Sequence, residues 1–219
     1  MANTQQYIYE NLRDALREQR IKPDTRLNIS ETAEEHGGSI IPTREAIARL
    51  AAEGLLERVP SGGFKAPGLS VANVEGDFTV VFLCLRHVND IYFANEELAR
   101  TILDHVVRQN AMLPDLRGDA HGITDEAEQY VRGLLPVVNS SKFRSCVEAA
   151  LDASWIYRLV YYRETLQFDV YLQVRAAYEV ALRMGDQATA KELILVSQRD
   201  WEGKTRDLCR YAWTELFEK

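Results

Sequence analysis

Residues 30–65 read SETAEEHGGSIIPTREAIARLAAEGLLERVPSGGFK and contain the signals of two helices, a sharp turn and a hairpin. Ser30 is a suitable cap for the first helix, and Gly37 and Gly38 interrupt that helix. Ser39 is placed to accept hydrogen bonds from the free N–H groups at the start of the second helix. The second helix is predicted from apolar residues that recur on one side, namely Ala46, Ile47, Leu50 and Ala51.

Turn residues follow the second helix. Gly54 ends it, residues 55–56 begin an apolar strand, and residues 60–63 (PSGG) form a typical turn before residues 64–65 return. A helix-turn-helix followed by a glycine-tipped hairpin is the pattern of a winged helix. In that fold the second helix fits the major groove of DNA, and the hairpin lies beside it along the backbone.

The chain on either side of this segment is predicted to be mainly helical. Ile8, Leu12 and Leu16 mark one face of a helix over residues 5–19, and residues 26–27 are predicted as a short strand that pairs with the hairpin. Beyond the hairpin, apolar residues recur at helical spacing without sustained strand alternation, which predicts an antiparallel bundle. The predicted fold is therefore mostly α, with an N-terminal winged helix-turn-helix domain and a C-terminal antiparallel all-helical bundle.

The domain boundaries follow from a change in composition. Residues 66–76 read APGLSVANVEG, a run of small and turn-forming residues. We therefore predict a winged domain over residues 1–66, a linker over residues 67–76, and a helical domain over residues 77–219.

The composition is that of an ordinary soluble globular protein, since 46% of the 219 residues are hydrophobic and 27% are charged. No apolar run approaches the roughly 18 residues of a membrane span, and no signal peptide opens the chain. The three cysteines are far apart and odd in number, which argues against a disulfide framework. We therefore expect a cytoplasmic protein without a membrane partner.

The charge of the chain is unusual for a DNA-binding protein, because its formal net charge is −7. Residues 1–70 hold nine Lys and Arg against ten Asp and Glu, so most of the acidity lies in the second half. Near-neutrality of the first domain is compatible with DNA binding if its basic groups share one face. The candidates for that face are Arg44, Arg49, Arg58 and Lys65.

A longer run of residues resembles a known family. The run comprises Arg26-Leu27, Ala33-Glu34-Glu35, Gly37, Ser39, Pro42, Arg44-Glu45-Ala46, Arg49-Leu50 and Glu53-Gly54-Leu55. It resembles, over roughly residues 6 to 66, the N-terminal domain of GntR-family bacterial transcription regulators. Three residues depart from the family pattern: Ile40 stands where the family usually has a DNA-contacting arginine, Ile41 stands for a threonine, and Thr32 stands for a leucine.

The resemblance implies a homodimeric repressor that binds double-stranded operator DNA. The contacts that carry over are Ser39, Thr43, Arg44 and the wing glycines Gly62 and Gly63. The polar side of the second helix and the base of the wing add Arg49 and Lys65. An exposed arginine is often only solvated, and Arg49 has the alternative of pairing with Glu45 or Glu53.

The helical domain resembles, more weakly, the effector domain of the fatty-acid-regulator branch of the family. The supporting residues are Arg86 with Asp90, Asn139, Ala181-Leu182, Gly185-Asp186 and Ala190. Many members of that branch hold a metal with one Asp and three His. The corresponding positions here carry Glu126, Tyr130, Arg175 and Ser197, so we predict neither a metal nor another cofactor.

A small organic and anionic effector is predicted in place of the metal-bound one. Tyrosines and arginines at one site suit a carboxylate or a phosphate, and the candidate effector-binding residues are Arg86, Tyr130, Arg132, Arg158 and Arg175. Two alternatives stay open at this point. The aromatic and basic segment around Arg158 is equally typical of a helix core, and Arg175 has the option of a structural ion pair with Glu126.

Other classes of function find less support in the sequence. No G-x-S-x-G, P-loop, dinucleotide or H-E-x-x-H motif is present, so an enzyme is not predicted. The alternative to a DNA-binding regulator is a regulator-derived helical module for protein interaction with weakened DNA binding. The apolar residues Ile40 and Ile41 favour that alternative, because neither can donate a hydrogen bond to DNA.

Overall fold

The computed structural model describes residues 4–164 and 168–217 and divides into two compact units. Of the described residues, 4–70 and 213–217 form the first unit, and 71–164 and 168–212 form the second. Residues 1–3, 165–167 and 218–219, which fall within the predicted domains, lie outside the described residues. The mostly helical fold predicted from the sequence, with a winged helix-turn-helix followed by an all-helical domain, is confirmed.

The first unit combines three helices with a small antiparallel sheet. Its elements in chain order are α1 (Thr4–Arg17), β1 (Arg26–Leu27), α2 (Ile29–Glu35), α3 (Ile40–Ala52), β2 (Glu57–Arg58) and β3 (Phe64–Lys65). Strand β3 lies between the other two, with Arg26 opposite Lys65 on one side and Arg58 opposite Phe64 on the other. We call β2, β3 and the turn between them the wing. The predicted pairing of residues 26–27 with the wing is confirmed.

The core of the first unit is formed mainly by α1 and α3, which pack against each other. This core consists of the apolar residues on one face of each helix. Four of them are fully buried, namely Ile8, Ala46, Ile47 and Leu50. This is the face that the spacing in the sequence predicts, because residues three and four apart lie on the same side of a helix.

The helix caps differ from the prediction at two points. Asn28, not Ser30, caps α2, since its Oδ1 atom accepts a hydrogen bond from the Ser30 amide at 3.0 Å. Ser39 does occupy the N-cap position of α3, but its side chain accepts no capping hydrogen bond. Asparagine and serine are comparable caps, so the local sequence did not decide between positions 28 and 30.

Helices are the only regular secondary structure in the described residues of the second unit. It contains α4 (Val71–Ala94), α5 (Glu96–Met112), α6 (Ala120–Leu134), α7 (Ser141–Ala153), α8 (Trp155–Glu164), α9 (Phe168–Met184) and α10 (Gln187–Phe217), with short 3-10 turns at Leu113–Leu116 and Leu135–Val137. The last residues of α10 belong to the first unit. No helix in the described part of the chain is long and apolar enough to cross a membrane.

The predicted linker over residues 67–76 is partly wrong, because α4 begins at Val71. The small residues of this stretch do not favour a helix by themselves. Val74, however, is fully buried and Phe78 follows it on the same side of the helix in the core. Burial of this apolar face stabilises a helix that local propensity leaves undecided.

Candidate functional sites

The start of α3 exposes one guanidinium and two apolar side chains. Arg44 is exposed and makes no hydrogen bond or ion pair with any described residue. Ile40 and Ile41 are 40% and 69% exposed. Ser39 is exposed beside them at the N-cap. The first turn of α3 therefore presents a free positive charge to solvent, next to an apolar tip that cannot bind phosphate.

Thr43 does not take part in this surface, which corrects the prediction that it contacts DNA. Its side chain is fully buried, and its Oγ1 atom donates a hydrogen bond to the Ser39 carbonyl oxygen at 2.9 Å. The reason is helical phase, since Thr43 lies three and four residues before Ala46 and Ile47 and shares their buried face. Its hydroxyl is directed into the domain.

Arg49 joins α3 to α1 within the first unit. Its Nε atom donates to Glu53 Oε1 at 3.0 Å and its Nη1 atom donates to Gln6 Oε1 at 3.1 Å. Its guanidinium lies 3.7 Å from the centre of the Tyr9 ring, and Tyr9 donates its hydroxyl proton to Glu53. Burial, together with this bond to Glu53, raises the pKa of Tyr9 to about 12. The geometry therefore favours the structural alternative for Arg49.

The tip of the wing is a glycine turn with exposed basic residues near it. Gly62 and Gly63 are exposed and have φ values of 96° and 86°, which a residue with a side chain adopts only under strain. Arg58 is exposed, with its guanidinium 5.4 Å from the Phe64 ring. Arg26, which was not among the predicted contacts, donates a hydrogen bond to Ser61 Oγ at 3.1 Å. The signal that would have identified it is the predicted strand at residues 26–27, which pairs with the wing.

Lys65, by contrast, has a compensated charge. Its ammonium group lies 2.6 Å from Asp24 Oδ1 and 3.3 Å from Glu57 Oε2. These two hydrogen bonds raise the pKa of Lys65, that of Asp24 contributing most. A phosphate group would have to compete with two carboxylates for this side chain.

The second unit contains a cavity of about 240 Å³. Its wall combines residues of α4, α6, α7, α8, α9 and α10 and is largely aromatic and aliphatic. Eight aromatic side chains line it, namely Phe78, Phe82, Tyr130, Tyr161, Tyr162, Tyr171, Tyr178 and Trp201. The predicted effector residues Tyr130, Arg158 and Arg175 line this cavity as well, whereas Arg86 and Arg132 are not among the described residues that form its wall.

Arg175 is held in the wall by an ion pair. It is only 5% exposed, and it donates two hydrogen bonds to Glu126, at 3.1 Å to Oε1 and 3.3 Å to Oε2. Its Nε atom donates to Asn110 Oδ1 at 2.9 Å, and its guanidinium lies 3.5 Å from the centre of the Tyr130 ring. Three of the four positions at which the resemblance implied metal ligands thus meet here as an ion pair stacked on a tyrosine.

The fourth position, Ser197, lines the same cavity but bonds within its own helix. Its hydroxyl donates to the Leu193 carbonyl oxygen at 2.9 Å. Among residues 4–164 and 168–217, no group of three or more His, Cys, Asp and Glu side chains is arranged to hold a metal ion. Of the histidines, His105 is buried and bonds through Nε2 to the Tyr130 carbonyl oxygen at 2.8 Å.

A second ion network holds Arg132 and Arg158, two more of the predicted effector residues. Arg158 donates to Glu128 Oε2 at 2.9 Å, to Ser154 Oγ at 2.6 Å and to the Leu151 carbonyl oxygen at 2.9 Å. Glu128 also accepts from Arg132 at 2.8 Å, and Arg132 reaches Asp152 at 2.7 Å. Arg132 and Arg158 therefore face two carboxylates, Glu128 and Asp152. Both arginines are committed to contacts within the domain.

Trp201 and Asp200 are among the wall residues that the sequence did not identify. Trp201 stacks on Tyr161 with 3.8 Å between ring centres, and Asp200 accepts the Tyr161 hydroxyl proton at 2.7 Å. Asp200 is also paired with Lys204 at 2.6 Å. The spacing of Ile194, Ser197 and Trp201 along α10 would have placed these side chains on one helical face.

A winged helix-turn-helix joined to an all-helical domain with an internal cavity defines a class of DNA-binding transcriptional regulators. Residues 4–65 match the family model described as bacterial regulatory proteins, gntR family. Residues 4–65 therefore form a GntR-family domain, and the fold of the all-helical second unit fits the fatty-acid-regulator branch. The family to which this domain belongs consists of bacterial regulatory proteins.

Solved structures share the fold over nearly the whole chain. Escherichia coli McbR/YncC has 15% identity and a TM-score of 0.65, covering 94% of this chain and 99% of that one. A GntR transcriptional regulator from Rhodococcus sp. RHA1 has 18% identity and a TM-score of 0.70, covering 93% and 97%. Lar, described as controlling expression of the Listeria monocytogenes agr system, has 13% identity and a TM-score of 0.58, covering 97% and 98%. No match is found among curated protein sequences.

Proposed function

We propose that this GntR-family regulator is a homodimeric repressor that binds operator DNA and is released by a small organic molecule. The start of α3 enters the major groove and the glycine tip of the wing lies along the backbone. The ligand occupies the cavity of the second unit. Since bacterial DNA lies in the cytoplasm, we expect the protein to act there.

The observation that carries the DNA part is the exposed and uncompensated guanidinium of Arg44 at the start of α3. A free cation at this point of a winged helix is suited to a guanine edge or a phosphate. Arg26 and Arg58 add positive charge at the wing, whereas Lys65 is held by Asp24 and Glu57. The phosphate contacts are therefore expected to be few, and the salt dependence of binding correspondingly moderate.

The dimer follows from the size of the DNA contact. One winged helix reads about half of an operator, and paired half-sites require a protein with two-fold symmetry. Light scattering on the full chain at micromolar concentration tests this point, because a species of 25.0 kDa would be the monomer.

The DNA part is tested by fluorescence anisotropy with a labelled duplex taken from the region upstream of the protein's own gene. A scrambled duplex of the same length is the control, and each is titrated at low salt and at about 300 mM salt. We expect the upstream duplex to retain binding at the higher salt and the scrambled one to lose it. Equal binding of the two duplexes would contradict a sequence-specific regulator.

A second candidate function is favoured by the exposure of Ile40 and Ile41. An apolar helix tip suits contact with another protein better than contact with phosphate. On this alternative the chain is a helical protein-interaction module with weakened DNA binding. The same titration separates the two candidates, because the module would bind both duplexes only weakly at low salt.

A further inference from the structure

The cavity of the second unit has a size and a lining that restrict its ligand. Its volume of about 240 Å³ exceeds the ~150 Å³ of an engineered apolar cavity that stays dry and binds benzene. Most of its wall consists of aromatic rings and aliphatic side chains. A space of this size and lining suits a bicyclic ring system or a single ring with a substituent.

The charges in the wall are already balanced. The charged side chains that line the cavity are Arg158, Arg175 and Asp200. Arg175 is paired with Glu126, Arg158 with Glu128, and Asp200 with Lys204. A carboxylate or phosphate entering this space would add a negative charge without a free cation to receive it, and an uncompensated charge in an apolar site is strongly disfavoured.

This balance removes the physical reason for the anionic ligand predicted from the sequence. That prediction required a guanidinium that needs an anionic partner, and both guanidiniums in the wall have one within the protein. The structural ion pair of Arg175 with Glu126, which the sequence left open, is the alternative that the geometry supports.

The Tyr130 hydroxyl in the wall is available to a ligand. Tyr130 is only 6% exposed, and its hydroxyl makes no hydrogen bond with any residue in the described ranges. The hydroxyls of Tyr161, Tyr171 and Tyr178 differ, because each donates to a neighbouring Asp, Glu or Asn. The fifth wall tyrosine, Tyr162, interacts with the Tyr171 side chain. Burial raises the pKa of Tyr130, so its hydroxyl stays neutral near pH 7 and can donate to, or accept from, a neutral polar group.

We propose that the cavity binds a neutral, largely apolar molecule of one or two rings, with a single uncharged polar group that meets the Tyr130 hydroxyl. This proposal deepens the proposed function and rests on it only in assigning the ligand a regulatory role. It differs from the anionic metabolite predicted from the sequence in charge and in polarity. The aromatic side chains of the wall stack on the rings of the ligand. Because Arg175 and Arg158 are already paired with Glu126 and Glu128, a charged analogue of the ligand would find no counter-ion in the cavity.

Two probes of nearly identical shape separate charge from size. 2-Naphthamide is neutral, and 2-naphthoate carries one negative charge on the same ring system. Titration calorimetry of the full chain at pH 7 is expected to show that the amide binds about tenfold more tightly or better, a difference of ~1.4 kcal/mol. Equal or tighter binding of the naphthoate overturns the proposal, and so does failure of both probes to bind.

A matched pair of variants on α9 locates the site. Val174 lines the cavity, so Val174→Phe fills it and should abolish binding of 2-naphthamide. Val180 lies on the same helix but is 53% exposed, so Val180→Phe should leave the affinity unchanged. Amide binding that survives Val174→Phe, or that is lost in Val180→Phe, places the ligand elsewhere and overturns the proposal.

Two further variants test the roles of Tyr130 and Glu126. Tyr130→Phe keeps the aromatic ring against Arg175 but removes the hydroxyl. The affinity for 2-naphthamide should fall by roughly three- to tenfold, because one hydrogen bond is lost, and the affinity for naphthalene should not change. Glu126→Gln leaves the positive charge of Arg175 without its carboxylate partner. The affinity for 2-naphthoate should therefore rise by about tenfold. If Tyr130→Phe binds 2-naphthamide as tightly as the wild type, the assigned polar contact is contradicted. This test does not depend on whether Glu126→Gln is stable enough to be measured.

These titrations contain no DNA, so their failure is distinct from failure of the proposed function. A protein that binds its operator but neither probe would remain a DNA-binding regulator with a different ligand. If the protein binds 2-naphthamide but no DNA, the proposed ligand of the cavity is supported and the proposed regulatory function is contradicted.

Discussion

Two arginines of this chain, Arg44 in the first unit and Arg175 in the second, show how differently the same side chain is used. Arg44 is exposed at the start of α3 and has no partner among the described residues. Arg175 is buried, bonded twice to Glu126 and stacked on Tyr130. A guanidinium that is to bind DNA must be free in water, whereas one inside a domain must be neutralised there.

The comparison separates a binding charge from a structural charge. The wall of the cavity holds two guanidiniums, yet its ion pairs leave no net positive charge for a ligand. The first unit is nearly neutral by count, yet at the start of α3 it presents Arg44, which has no ion pair or hydrogen bond among the described residues. The start of this helix is where a winged helix contacts DNA. The number of arginines near a site therefore says less about its ligand than the partners those arginines already have.

The largest effect is expected when the internal ion pair of the cavity wall is broken. Arg175→Met leaves the Glu126 carboxylate buried without its cation, which should lower the free energy of unfolding by about 3–5 kcal/mol. Urea denaturation followed by circular dichroism measures this change. Arg44→Met is the matched control and should stay within about 0.5 kcal/mol of the wild type, because Arg44 is exposed and unpaired. Similar losses in the two variants would contradict the comparison.

The next effect concerns DNA. Arg44→Ala should weaken binding to the mapped operator by about 1–3 kcal/mol per half-site and leave helicity unchanged. Arg20→Ala removes the same charge from the same unit, at a residue whose guanidinium is held by Glu18, and is the control for net charge. If the two variants lose affinity equally in the anisotropy titration, the contact of Arg44 is only a general charge effect.

A substitution at Ile40 is expected to raise the affinity for DNA, by less than Arg44→Ala lowers it. This side chain is 40% exposed and stands where the family usually has a DNA-contacting arginine. Ile40→Arg should therefore strengthen DNA binding by about 1 kcal/mol per half-site and make the binding more dependent on salt. Ile40→Gln is the uncharged control for loss of the apolar surface. No gain from the arginine would indicate that the start of α3 does not approach the backbone as proposed.

Most of the fold was accessible from the sequence because its signals are local. Glycines with positive φ at positions 37, 54, 62 and 63 end helices or form the wing tip, and the spacing of Ala46, Ile47 and Leu50 identifies the buried face of α3. The start of α4 was missed because burial of Val74, not local propensity, makes residues 71–76 helical.

The sites were less accessible because their contacts join distant parts of the chain. Glu126 and Arg175 are 49 positions apart, and the sequence left open whether they pair. From its position in the sequence, Arg175 could have been free to bind a ligand, whereas in the structure it is paired with Glu126. Thr43 is a different case, since its helical phase relative to Ala46 and Ile47 was visible in the sequence and already indicated burial.

The smallest effect is expected at Thr43, the predicted DNA contact that proves to be buried. Thr43→Val keeps the shape of the side chain and removes only the hydroxyl that bonds to the Ser39 carbonyl oxygen. Operator affinity should change by less than about 0.5 kcal/mol, and the free energy of unfolding should fall by about 1 kcal/mol, the usual contribution of one hydrogen bond. Anisotropy and urea denaturation on the same preparation measure both quantities. A loss of DNA affinity as large as that of Arg44→Ala, without a loss of stability, would mean that the Thr43 hydroxyl reaches DNA and that α3 turns a different side outward in the complex.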